Sequence, residues 1–271
     1  MSKSQNIIIS ISSDIGFSLA KKWLKSGKSV TGTYRTKSSL CDELEAMGAN
    51  LFHCDLEDKS SVHNAINLIN NFNSWETLTL AAGHQEPVGK FLDCNFENWE
   101  QSIMVNFTRQ LNIMHGLMPN KSPAKSSVLF FAGGGTNNAT IAYSAYTISK
   151  IALIKMVELL DAEILDTTFS ILGPGWVKTK IHESTLKAAN AAGKNYEKTI
   201  QMLENNGSEC YPMDKVINCC DWLLSSPREL VGGRNFSAVH DPWESDKINF
   251  ILDDTNIFKL RRFGNDFFKI Q

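Results

Sequence analysis

Nowhere in this chain of 271 residues does an apolar run reach the roughly 18–20 residues a bilayer-spanning helix needs. The opening residues Met1 to Gln5 lack the apolar core and cleavage site of a signal peptide, so none is expected. The six cysteines (Cys41, Cys54, Cys94, Cys210, Cys219 and Cys220) include no metal-type CxxC pair. Scattered thiols of this kind fit a reduced, cytoplasmic protein and are expected to be small buried residues rather than nucleophiles. Basic excess is missing too: 27 Lys and Arg stand against 29 Asp and Glu, a net charge of −2, which gives no reason to expect a nucleic-acid partner. No internal repeat, low-complexity segment or linker divides the chain, and 42% of it is hydrophobic. The expectation is one domain over residues 1–240 with a tail, 241–271, packed on it.

What is present is a rhythm. Short apolar runs at 6–10, 29–34, 50–54, 77–81, 127–131, 168–172 and 234–239 read as strands covered on both faces. Between them lie stretches of helical period: one carries Leu19, Ala20 and Trp23 and closes at Gly27, one carries Val62, Ala65, Ile66 and Ile69, and a long one runs from about Trp99 to Leu117. Alternation of this kind predicts right-handed βαβ units in an α/β fold: a Rossmann-type doubly wound parallel sheet of about seven strands with helices on both faces. Such sheets bind ligands outside the carboxyl ends of their strands. The polar stretch 177–211 reads as mobile helices.

One helix carries a chemical pattern. In Tyr143-Ser144-Ala145-Tyr146-Thr147-Ile148-Ser149-Lys150 the residues Tyr146 and Lys150 stand four apart and share a face. An ammonium beside a phenol favours the phenolate, so Tyr146 is expected to exchange a proton near neutral pH.

Taken in order, these motifs resemble the short-chain dehydrogenase/reductase family over roughly residues 5–240. The resemblance implies that Tyr146 is the acid/base, that Lys150 also holds the nicotinamide ribose, and that Asn106 orders a water in the proton relay. It assigns the cofactor wall to Ser10, Ser12, Ser13 and Ile15 in the first turn, to Asp55 and Leu56 after the third strand, and to Ala82 and Gly83 after the fourth. Pro174, Gly175, Val177 and Thr179 match the turn after the sixth strand, and 177–211 takes the place of the substrate lid. Asp55 would accept from the adenine amino group, cap the next helix, or do both. The end of the second strand reads Tyr34-Arg35-Thr36-Lys37, with no acid to repel a 2′-phosphate, and Arg35 can bind one. The cofactor expected is therefore NADP(H).

The chain departs from the family at two places. Ile9 to Gly16 retains only Gly16 of the glycine-rich turn, with Ser10 in a glycine place and Asp14 at the helix N-terminus, where it would both cap the helix and compete with the pyrophosphate. The catalytic serine is expected about 13 or 14 residues before Tyr146, where Gly133 and Ala132 stand. Thr136 and Ser144 are the nearest hydroxyls, and Thr136 is the expected substitute.

Two readings follow. One is an NADP(H)-dependent oxidoreductase that interconverts a carbonyl and an alcohol on a small-molecule substrate. The other is a binding or regulatory protein on the same scaffold with weak or no cofactor binding. The stretch from Phe236 to Trp243, with Leu260-Arg261-Arg262, looks like the C-terminus of family members found with polysaccharide and nucleotide-sugar genes, which implies a sugar-like substrate. The resemblance also implies a homodimer or homotetramer paired through the helices at about 99–117 and 146–163. The face Ile151, Ile154 and Val157 would suit that contact or an intrachain core.

Overall fold

A computed structural model of the chain describes residues 5–72, 74–204 and 210–264. The parts of the lid and tail expectations that fall on 205–209 and 265–271 lie outside them. Strands β1 (Gln5–Ile9), β2 (Ser29–Tyr34), β3 (Asn50–His53), β4 (Trp75–Leu80), β5 (Ser127–Phe131), β6 (Thr168–Gly173) and β7 (Asn235–Ser237) form a seven-stranded, wholly parallel sheet in the order β3-β2-β1-β4-β5-β6-β7. The strand order reverses between β1 and β4, which opens the crevice where ligands of such sheets sit.

Successive side chains of a strand point to opposite faces, and this splits each apolar run between two cores. Ile7 and Ile9 of β1 join Leu78, Phe130 and Ile171 under the helices α3 (Lys59–Asn70), α5 (Arg109–Leu117) and α6 (Ser144–Glu163). Ile8 joins Leu129, Phe131 and Leu172 under α1 (Asp14–Lys25) and α9 (Met213–Ser225), where Trp23 and Leu223 are buried. Helix α2 (Ser39–Ala46) adds Leu44 to that second core, α4 (Phe96–Ile103) precedes α5, and the four-residue α10 (Arg228–Val231) leads to β7. Cys41, Cys54, Cys219 and Cys220 are buried and all six thiols are free, while Cys94 and Cys210 are half-buried.

The long helix expected over 99–117 is interrupted. A π turn, Met104–Thr108, joins α4 to α5. Its cause is internal: the Asn106 side chain is drawn to the main chain of residue 84, and Gln110 Nε2 donates to Asn106 O at 2.9 Å. The last strand is shorter than the expected 234–239. Ser237 N–H donates to Asp241 Oδ2 (2.7 Å) and His240 N–H to Ser237 Oγ (3.2 Å), which turns the chain off the sheet. The lid region holds α7 (Glu183–Ala188) and α8 (Lys194–Glu204).

The tail closes the open edge of the sheet. Asn235 N–H donates to Phe258 O at 2.8 Å, and the Arg261 guanidinium makes a two-point pair with Glu158 of α6 at 2.7 and 3.0 Å.

Candidate functional site

A cavity of about 1310 Å³ lies at the carboxyl ends of the strands. At one end is the turn from β1 into α1. Ser10 sits in the left-handed region at φ 62°, which costs a non-glycine residue about 1–2 kcal/mol. Its neighbours hold it there: Ser10 N–H donates to Thr33 Oγ1 at 3.1 Å, and Ser13 N–H to Ser10 O at 3.0 Å. Gly16 survives for a steric reason, since a Cβ at that position would lie 2.6 Å from Ser10 O. Asp14 does not cap α1 as the sequence suggested. Ser13 does, accepting from Gly16 N–H at 3.1 Å, and leaves Asp14 free to accept from Lys180 N–H at 2.9 Å. The turn after β1 is thereby tied to the segment that follows β6.

At the ends of β2 and β3, Arg35 is exposed, and among the described residues its one ion pair is with Glu57, at 3.8 Å. Asp55 is not the cap of α3, because Asp58 fills that place and accepts from Ser60 N–H at 2.8 Å. Asp55 Oδ1 instead accepts from Glu57 N–H (3.0 Å) and Asp55 N–H donates to Ser61 Oγ (2.9 Å), which fixes this loop beside Leu56.

Tyr146 and Lys150 form the base of the cavity. Lys150 is buried, its Nζ donates to Ala82 O at 3.1 Å, and it lies 5.7 Å from the centre of the Tyr146 ring. Burial pushes the ammonium down to about 8 and the phenol up to about 12. The lowered phenol pKa expected from the sequence is therefore not produced: desolvation of the hydroxyl prevails, and the ammonium sits over the ring face with its hydrogen bond given to a carbonyl.

The serine's place is filled rather than vacant. A Cβ at Gly133 would meet Tyr146 Cε1 at 2.7 Å and its hydroxyl at 2.9 Å, so the phenol has settled into the room a side chain would need. Ser144 is committed elsewhere, accepting from Trp99 Nε1 at 3.0 Å, whereas Thr136 lines the cavity half-buried.

Asn106 is fully buried and does not face the cavity. It accepts from His84 N–H at 2.9 Å and donates to His84 O at 2.7 Å. It is a positioning residue that clamps the main chain after Gly83 and presents the His84 ring to the cavity. Its amide also donates to Ser102 O at 3.0 Å.

Past β6, Gly175 adopts φ 78° with Val239 packed so close that a Cβ would lie 2.3 Å from Val239 Cγ2. Every residue assigned to the cofactor lines this cavity: Ser10, Ser12, Ser13 and Ile15; Arg35, Asp55 and Leu56; Ala82 and Gly83; Tyr146 and Lys150; Pro174, Gly175, Val177 and Thr179. Residues 179–185 and part of α8 line the same cavity. Tyr143 OH and Thr185 Oγ1 are 2.7 Å apart, Thr185 Oγ1 donates to Gln85 Oε1 at 3.3 Å, and His182 stacks on Trp176 with ring centres 3.9 Å apart. Sequence reasoning missed His84, Gln85, Tyr143 and Thr185. Only His84 carried a signal, as an ionisable residue directly after Ala82-Gly83. Among the described residues no group of three His, Cys, Asp or Glu side chains could hold a metal ion.

Comparison with known proteins agrees with this geometry. Residues 6–190 match the model of the short chain dehydrogenase family. An uncharacterised oxidoreductase of Schizosaccharomyces pombe is 25% identical over 158 residues, 58% of this chain. The matched part spans 63% of that relative's length. The mitochondrial dehydrogenase/reductase SDR family member 2 of Homo sapiens is 21% identical over 243 residues, 86% of this chain and 84% of that one. Among solved structures, the KRED1-Pglu enzyme superposes with a TM-score of 0.77 at 20% identity, covering 86% of this chain and 100% of its own. A variant of actinorhodin polyketide ketoreductase solved with NADPH gives 0.75 at 16% identity, covering 87% and 95%. The two solved structures share the fold, and with residues 6–190 under one family model the chain belongs to the short-chain dehydrogenase/reductase family.

Proposed function

We propose that this chain is an NADP(H)-dependent oxidoreductase that interconverts a carbonyl and an alcohol on a small-molecule substrate. The observation that carries the reading is the single cavity in which the phosphate turn, Arg35 and the Tyr146–Lys150 pair meet. The residues present suit the cofactor. The positive N-terminal end of α1 suits a pyrophosphate, and Arg35, exposed and 3.8 Å from Glu57, can take a 2′-phosphate. Solved neighbours support the same choice, since the actinorhodin ketoreductase variant and BdcA were solved with NADPH.

Bound there, the cofactor supplies or accepts the hydride, and the chain does the rest. Tyr146 gives its phenolic proton to the nascent alkoxide; with a pKa of about 12 it is fully protonated at neutral pH, which suits reduction. Lys150, near 8, is mostly charged at neutral pH and stabilises the phenolate left behind. Asn106 keeps His84 and Ala82-Gly83 in place. Thr136 donates to the substrate oxygen in the role of the absent serine. The free thiols support a cytoplasmic setting. Subunits pair as a homodimer or homotetramer through the outer face of α6, where Ile148 and Leu159 are exposed; Ile154 and Val157, on the face named from the sequence, are buried within the subunit's own core.

The test is Tyr146→Phe in a reductase assay followed by NADPH absorbance. Turnover should fall by about a hundredfold to ten-thousandfold while NADPH binding persists. Unchanged turnover would remove Tyr146 from the mechanism.

A further inference from the structure

The cavity does not end at Lys150. It continues past Ile154 of α6 to the edge strand and the tail, where Asn235, Lys259 and Leu260 line it. This end is cationic. Arg234 is 4% exposed, and its guanidinium donates to the carbonyls of Ile251, Asp254 and Ile257 rather than to a carboxylate. Lys259 is half-buried, and its ammonium has no hydrogen-bond or ion-pair partner among the described residues. Asn235 Oδ1, at the same wall, is buried and also unpartnered among them.

The nearby carboxylates are already engaged. Glu158 pairs with Arg261 and Lys155, and Asp161 with Arg228. On the cavity wall, Asp241 accepts from Ser237 N–H. Burial and then the Arg234 charge hold the Lys259 ammonium below its ordinary pKa, in spite of Glu158 and Asp161. A partly desolvated cation beside another cation, on the cavity wall and without an ion-pair partner among the described residues, favours an anion entering that space.

We propose that the end of the cavity between β7 and the tail is an anion subsite, in which Lys259 binds the carboxylate or phosphate of the substrate whose carbonyl reaches Tyr146. The proposal rests on the oxidoreductase reading for its catalytic meaning and makes the tail a specificity element that favours anionic over neutral carbonyl compounds.

The experiment is calorimetric titration of the full chain with benzoate, phenyl phosphate and neutral benzamide, repeated on Lys259→Met and Lys259→Arg. Taking the difference between wild type and Lys259→Met cancels anion binding at Arg35. The loss expected in Lys259→Met is about tenfold to a hundredfold for at least one anion, the scale of a charge-assisted hydrogen bond. Benzamide affinity should not change, and Lys259→Arg should retain most of the preference. The stronger anion identifies the group as carboxylate or phosphate. Equal anion affinities in wild type and Lys259→Met overturn the subsite, provided thermal melting shows both folded. NADPH fluorescence on the same samples separates the two claims: anion binding through Lys259 without NADPH binding would sink the oxidoreductase reading and leave the subsite standing.

Discussion

Two strand ends in this molecule have exchanged residue types. After β1 a serine, Ser10, stands where the family resemblance puts a glycine; after β5, Gly133 and Ala132 stand at the two places where it puts the serine. The first exchange is absorbed. The turn needs a left-handed backbone, and Ser10 adopts it because Thr33 accepts from its N–H and Ser13 donates to its carbonyl. The second is not absorbed in the same sense, because what the site needs there is a hydroxyl. With no side chain at Gly133, the Tyr146 ring occupies the space that a Cβ there would need. A backbone requirement can be met by a different residue at a modest energetic cost. A chemical requirement can only be met by another side chain, and packing then makes the loss hard to reverse.

The largest expected effect breaks the comparison at Gly133. If the glycine were merely a missing hydroxyl, Gly133→Ser would raise turnover. The contact of 2.7 Å between a Cβ there and the Tyr146 ring predicts the opposite: the phenol is displaced, turnover falls about tenfold or more, and the folded chain loses about 1–3 kcal/mol of stability, the cost of an overpacked core. Steady-state rates and thermal melts on one preparation decide between them.

Next in size is the buried Lys150. Its pKa in the folded chain, about 8, lies below its ordinary 10.5, so between these values the unfolded state binds more protons and stability rises with pH. Tyr146 works against this above pH 10, because its raised pKa of about 12 means that the folded state holds the proton and stability is lost as the unfolded phenol ionises. In urea titrations at pH 8 and pH 10, wild type minus Lys150→Met should therefore show a gain of about 2 kcal/mol. A flat difference would mean that the ammonium is solvated after all.

A smaller effect sharpens the comparison at the phosphate turn. Asp14→Asn keeps an acceptor for Lys180 N–H and removes only the charge at the N-terminus of α1. NADPH dissociation constants should tighten by about two- to fivefold, the scale of a helix-dipole charge effect of 0.3–1 kcal/mol. No change would assign Asp14 to the lid contact alone. The smallest effect is Ser10→Gly, which should stabilise the chain by about 0.5–1 kcal/mol if the left-handed backbone is strained, as read from chemical denaturation.

The elements were legible because their causes are local. Ile7, Ile8 and Ile9 announce a strand covered on both faces, and Gly27 marks the end of a helix. The break at Met104–Thr108 was not legible, since it depends on Asn106 reaching the main chain of His84. Capping at Ser13 and Asp58 was misassigned by one and three positions, because Asp14 and Asp55 are equally good capping types and only the entry angle of the chain selects between neighbours. In the site, Tyr146, Lys150, Arg35 and the turn after β6 could be named from spacing. Tyr143, Thr185 and Gln85 could not, for they meet across 42 and 100 residues of chain.

The sequence by itself determined the alternation of strands and helices, the place of the cavity at the strand ends, and the residue types that surround it, because these follow from periodicity and from chemistry carried by single residues. Tertiary structure alone decided how those residues are charged and whether they are free. Desolvation moved Tyr146 and Lys150 in opposite directions, the Tyr146 ring packed against Gly133, and the tail brought the half-buried Lys259 to the far end of the same cavity. Burial and contact are properties of the assembled chain, and no window of sequence contains them.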